Sequence, residues 1–296
     1  MLALIMKNNF NIIIVITLIL FFSCKSIENF RINKVQEFNP NFPKQKYEFP
    51  LLTSKSSMIS RKINSDIVKD FLDIDIENKS ESIFENVWAT KKNSIPRLSD
   101  LTYQINMLTD RIYSVTLNAE GCGAYCEYFS YSYNYDLSNG NKILLDSIFS
   151  QKGKAEMLNY LSNKKRKIIE SYVLELKKEE IQEEDKEEYN SRFELYEDCL
   201  KDLPFASLEY FDFKINNKQI ILTSDRCSVH VNRAIDYLDE YEFKLDKNEV
   251  NNLLSNYGRI ILKTTANNGN RCTSHWKAKK RIHISLFVAL PFLGHR

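Results

Sequence analysis

Histidine is scarce in this chain and cysteine is not, and that imbalance limits the chemistry available. His230 is the only histidine before residue 264. A Ser-His-Asp triad, or a metal centre built from several imidazoles, needs histidines that the body of the chain does not have. Besides Cys24 and Cys272, four cysteines lie in the body: Cys122, Cys126, Cys199 and Cys227. Two disulfides would use all four, with three pairings open. The alternative joins Cys122-x-x-x-Cys126 to Cys227-x-x-His230, three thiolates and one imidazole, as in a structural zinc site. Disulfides are the expectation for an exported chain, so neither a metal nor any other cofactor is assigned, and His230 reads as a strand residue. Carboxylates are abundant enough for acid–base work, but Asp136 and Asp146 read as turn and strand-end residues. No glycine-rich phosphate loop is present. The chain is therefore read as non-enzymatic, with no catalytic residue.

Export is argued from the first residues. Lys7-Asn8-Asn9 precedes an apolar run, Phe10–Phe22, broken only by Asn11 and Thr17. A run this short is the core of a secretory signal rather than a membrane-spanning helix. It ends Leu20-Phe21-Phe22-Ser23-Cys24, which resembles a lipobox and implies lipidation of Cys24, with Phe22 bulkier than the pattern usually carries. Residues 1–24 are thus expected to be a lipoprotein signal, and the protein to be held on the bacterial cell envelope by its lipid, periplasmic or surface-exposed. Residues 25–46 are polar, contain Pro40 and Pro43, and read as a tether.

Charge divides along the chain. The formal net charge of +2 falls to −5 when Lys7 and the six basic residues of 265–296 are set aside. A mildly acidic body argues against nucleic acid as a partner, which calls for a basic stripe. The tail 265–296 holds the other three histidines, Cys272 and no acidic residue; it reads as an extension beyond the domain, with a membrane-surface segment as the alternative. Eleven acidic and four basic residues fall between Glu175 and Asp198, which reads as a solvated helix face; a docking surface for a cationic partner is the sharper alternative.

Between these ends, residues 47–264 form the expected domain, divisible into 47–150 and 151–264. Ile59, Ile63, Ile67 and Phe71 recur every four residues and predict a helix from Ser56 to Leu72. Tyr113, Val115 and Leu117 alternate with polar residues as a strand. After the Gly121–Cys126 loop, Phe129, Tyr131, Tyr133 and Tyr135 alternate with small polar residues, which predicts a strand with one buried face. Asn139-Gly140 supplies its turn. A long helix is expected from Lys154 to Leu200, broken near Glu187–Asn190. A hairpin follows, Tyr210–Ile215 with Lys218–Thr223, then a strand Tyr241–Leu245. Asp246 should cap a helix reaching Leu254, with Gly258 beyond its end and Arg259–Lys263 as a last strand. Hairpins and helices are segregated, so the fold class is α+β, an antiparallel sheet of hairpins with separate helices.

The order of these elements, with Lys62-Ile63-Asn64 on the first helix and Asn134-Tyr135-Asp136-Leu137-x-x-Gly140-x-x-x-Leu144-x-Asp146-x-Ile148-Phe149, resembles the extracytoplasmic domain of RsiV-type anti-sigma factors. The same domain is the accessory region of PdaC-type peptidoglycan deacetylases. The resemblance runs from Tyr47 to Lys263. It implies a domain that senses or binds envelope components, with lysozyme or a peptidoglycan fragment as the partner. In the family a Gly-Gly-Ala-His type loop precedes the aromatic strand. Here Cys122-Gly123-Ala124-Tyr125 stands in its place without the histidine, and Gly123, Ala124 and Tyr125 are the candidate ligand contacts. A peptidoglycan-directed enzyme or accessory, and a structural lipoprotein, are the alternatives.

Overall fold

The computed structural model describes residues 30–55, 57–77, 82–88, 97–122, 126–179, 182–238 and 240–263. Its longer sheet has six strands in sequence order: β1 (Arg31–Phe38), β2 (Lys46–Thr53), β3 (Leu98–Leu108), β4 (Ile112–Cys122), β5 (Cys126–Asp136) and β6 (Asn141–Lys142). All neighbours are antiparallel except β2 and β3, which meet parallel at Tyr47 and Leu101. The first helix, α1 (Ser57–Leu72), lies against β2. Ile63, Ile67 and Val68 of α1 join Tyr47, Phe49, Tyr113 and Val115 in one buried cluster. Asn64 of α1 accepts from Leu52 N and donates to Leu52 O, both at 2.8 Å, standing in for a neighbouring strand.

A second, three-stranded sheet is formed by β7 (Phe211–Ile215), β8 (Gln219–Ser224) and β9 (Tyr241–Asp246). Phe213, Ile215, Ile220, Leu222, Phe243 and Leu245 alternate inward from it. They share a core with Met157, Leu161, Ile169 and Val173 of α3 (Gln151–Leu176) and with residues of α2 (Leu145–Ile148), α4 (Lys186–Lys201) and α5 (Asn256–Lys263). Each such side chain, fully buried, contributes about 1.5–3 kcal/mol. Met107, Ile112 and Ile143 also belong to this second core, so the two cores do not divide cleanly at residue 150. Polar contacts join the sheets: Asn134 donates to Phe213 O at 2.6 Å and Ile215 N donates to Ser114 Oγ at 3.1 Å.

The α+β class and its segregated helices are as expected, but several elements differ. Arg31–Phe38, assigned to the tether, is the edge strand β1, paired along its length with β2; its mostly exposed side chains gave it no apolar signature. Leu98–Leu108 is a full strand where no element was assigned. The break in the long helical stretch falls between Leu176 and Lys186, earlier than Glu187–Asn190. Asp246 caps only turns, accepting from Asn248 N at 2.8 Å, and no helix reaches Leu254. Arg259–Lys263 is helical instead: Ser255 accepts from Gly258 N at 2.9 Å and starts α5. A short apolar run such as Ile260-Ile261-Leu262 fits either period, and the cap decides it. His230 opens a 3-10 helix, His230–Ile235, rather than lying in a strand.

Candidate functional site

β5 is where the sequence reading and the structure diverge most usefully. Its aromatic stripe does not lie on one buried face throughout. Tyr133 and Tyr135 are buried, whereas Tyr131 is 56% exposed and Phe129 37%. The buried pair is pinned by α1. Tyr133 donates to Asp70 Oδ2 at 2.9 Å and Tyr135 to Asp66 Oδ2 at 2.5 Å. Asp66 and Asp70 are one helical turn apart, so they present to one strand face with the tyrosines two residues apart. Lys142 of β6 reaches both carboxylates, at 3.4 and 3.6 Å, and stands 5.5 Å from the centre of the Tyr133 ring. Burial, then the carboxylate partner, raises both hydroxyls above the usual tyrosine value, so they remain donors.

Beside this cluster the strand ladder on one edge of β5 stops, while β4 stays paired along the other. β6 pairs with β5 only at Tyr135 and Asp136, and past that point a cleft of about 280 Å³ opens between β5, α2 and the start of β7. Tyr131 and Tyr133 form one wall, their rings 6.1 Å apart. Ile143, Leu145, Leu208, Phe211 and Phe213 supply its apolar lining, and Asp70, Lys142, Asp146 and Glu209 its charged groups. Most of that charge is already partnered. Asp146 is ion-paired with Lys154 at 2.6 Å, and Asp70 is held by Tyr133 and Lys142. An apolar lining with a few fixed polar groups is how small-ligand sites are built.

A larger, open groove of about 810 Å³ lies along α4. Glu187, Glu188, Glu194 and Asp198 line one side, Val229 and Ile235 the other. Ion pairs run through the same acidic stretch: Arg192 with Glu188 at 2.7 Å, Lys201 with Asp198 at 2.6 Å and Lys178 with Glu175 at 2.7 Å. They fit the solvated-face reading of residues 175–198.

The four body cysteines are paired as Cys122–Cys126 and Cys199–Cys227. The first closes the tip of the β4–β5 hairpin, where the two residues face each other in register. The second ties α4 to the segment after β8. With all four sulfurs in disulfides, the zinc alternative with His230 is overturned, and among the described residues no group of His, Cys, Asp and Glu is placed to hold a metal. Glu127, next to Cys126, is ion-paired with Arg226, at 2.6 Å, and with Arg233, which anchors the hairpin to the region of the second disulfide. Asp136 is a structural residue, 1% exposed. It pairs with Arg111 at 2.9 Å and accepts from the backbone N–H and hydroxyl of Ser138. Cys24 and the candidate contacts Gly123, Ala124 and Tyr125 lie outside the described residues. Missing from the sequence reading were Asp66, Asp70, Lys142 and the exposure of Tyr131. The i,i+4 carboxylates facing alternate tyrosines were the available signal.

Two cores joined through β5, with a lined cleft beside the point where β6 stops, define an α+β domain with a ligand-sized surface site. Among the described residues no helix is long and apolar enough to cross a membrane. No protein-family pattern matches the chain, and no curated sequence does. Its structural neighbours are DUF3298 family proteins. One from Bacteroides fragilis has a TM-score of 0.45 and 15% identity over 79% of this chain and 96% of its own. Another from Pseudomonas aeruginosa has a TM-score of 0.43 and 12% identity over 77% and 94%.

Proposed function

We propose that this chain is an envelope lipoprotein, anchored through a lipid on Cys24, whose α+β domain is a non-catalytic binding or sensing module for a protein or a cell-wall glycan. The observation that carries this reading is Tyr131: a large aromatic side chain left more than half exposed at the wall of an apolar-lined cleft. A polar surface residue would cost less to leave in water, and exposed aromatics at a cleft are the usual anchors of recognition. The Asp66–Asp70–Lys142–Tyr133–Tyr135 cluster immobilises the wall in advance, which lowers the ordering cost of binding. The test is retention of the full-length protein on immobilised peptidoglycan and on immobilised lysozyme, with Tyr131→Ala beside it. Binding to either that Tyr131→Ala reduces roughly tenfold supports the reading; binding to neither, or binding indifferent to the substitution, refutes it.

A second reading for a protein partner rests on the α4 groove. Its carboxylates would attract a cationic protein such as lysozyme over a reach of roughly 8 Å at physiological salt. Raising the salt should then slow association far more than it speeds dissociation. Equal effects on both rates would discard it.

A further inference from the structure

We infer that the cleft beside Tyr131 takes a neutral sugar ring, so that the ligand class is a polyhydroxylated glycan rather than an anion or a cation. This deepens the binding-module reading and rests on it. Three observations carry the choice. First, charge: the cleft presents Asp70, Asp146 and Glu209 against Lys142 alone, an excess that repels phosphate and carboxylate ligands. Yet Asp146 is already bonded to Lys154 and Asp70 to Tyr133 and Lys142. A cation entering would have to displace the partners of both, and the remaining carboxylate, Glu209, is exposed, where a single ion pair contributes little. A neutral hydroxyl does not, because an ionised carboxylate has several lone-pair positions and accepts a hydroxyl beside its present donor.

Second, surface chemistry: a pyranose has an apolar face of C–H groups and a rim of hydroxyls. The cleft has the complementary arrangement. Tyr131 is more than half exposed, and Leu208, Phe211 and Phe213 continue the apolar surface. Lys142 can donate to a ring oxygen or hydroxyl where the carboxylates accept. Third, size: at about 280 Å³ the cleft sits just below the range of roughly 300–1,000 Å³ for drug-sized ligands. That suits one sugar of a chain and not a helix or a folded protein surface.

The experiment is calorimetric titration of the full-length protein with a neutral N-acetylglucosamine oligomer, with a polyanionic saccharide of similar length, and with lysozyme. Each is repeated on Tyr131→Ala and Lys142→Ala, and on Tyr160→Ala, an exposed tyrosine of α3 outside the cleft. The expected result is saturable binding of the neutral oligomer, weakened roughly tenfold or more by Tyr131→Ala and Lys142→Ala, unchanged in Tyr160→Ala, with the polyanion weaker. Tyr131→Phe should retain most of the binding, since it keeps the ring. A preference for the polyanion overturns the sugar-class inference. So does lysozyme binding that needs Tyr131 while no saccharide binds, and that outcome leaves the binding-module reading standing. Absence of any binding, or binding equal in all variants, overturns both.

Discussion

Replacing Asp212 should make the protein more stable. It sits on β7 against β5, where Ser132 donates to it from both hydroxyl and backbone, and Phe213 from its backbone. Burial nevertheless dominates and raises its pKa from 3.8 to about 6. The folded protein therefore holds this proton more tightly than the unfolded chain does. Below pH 3.8 both states are protonated and the stability is whole. Between pH 4 and 6 the unfolded chain releases its proton first and stability falls, reaching a plateau above pH 6. A shift of about two units corresponds to about 3 kcal/mol at the plateau. Asp212→Asn removes the buried charge but also weakens bonds that the carboxylate accepts. With about 1–1.5 kcal/mol lost there, the net gain expected at pH 8 is about 1.5–2 kcal/mol. Urea unfolding of the oxidised protein at pH 8 and at pH 4 measures it. The variant should exceed wild type at pH 8, and the gap should close or reverse at pH 4, where wild type is itself neutral. A variant less stable than wild type at pH 8, or a gap that does not change with pH, would refute the argument that burial of charge dominates at this position.

The two disulfides should differ in worth. Loop-closure entropy assigns about 3.5 kcal/mol to Cys199–Cys227, which spans 28 residues, and about 2 kcal/mol to Cys122–Cys126, which spans four. Unfolding of each double serine variant checks the order, and reduction of the native protein should add four hydrogens by intact mass. Gly258→Ala should cost about 3 kcal/mol, because a Cβ there would lie 2.0 Å from the carbonyl oxygen of Ile148, and thermal unfolding would register it. Cys24→Ala should release the protein from membranes and abolish fatty-acid labelling; labelling that persists would remove the anchor from the proposal.

Local pattern was enough for much of this molecule. The four-residue spacing of α1, the alternation of β4 and β5, the Asn-Gly turn with Gly140 at φ 69° and the β7–β8 hairpin are periodic or carry their own turn chemistry. So the α+β class, and four cysteines suited to disulfides, could be read directly. Their pairing could not, since three connectivities satisfy the same spacing and only the approach of α4 to the segment after β8 selects one. Partners distant in sequence decided the rest. Arg31–Phe38 is a strand because β2 pairs with it, not because of its own side chains. Gly258 lies inside a helix that Ser255 starts, and it is glycine because the carbonyl of Ile148 passes too close for a Cβ, not because it ends a preceding helix. The aromatic stripe of β5 carries one unbroken period, but its fate depends on what lies across from it. Where α1 brings Asp66 and Asp70, the tyrosines are buried and bonded; where β6 ends, Tyr131 is left in water beside a cleft. Periodicity records which residues share a face, whereas exposure depends on how far the neighbouring element extends, and that is set by packing between segments some sixty residues apart.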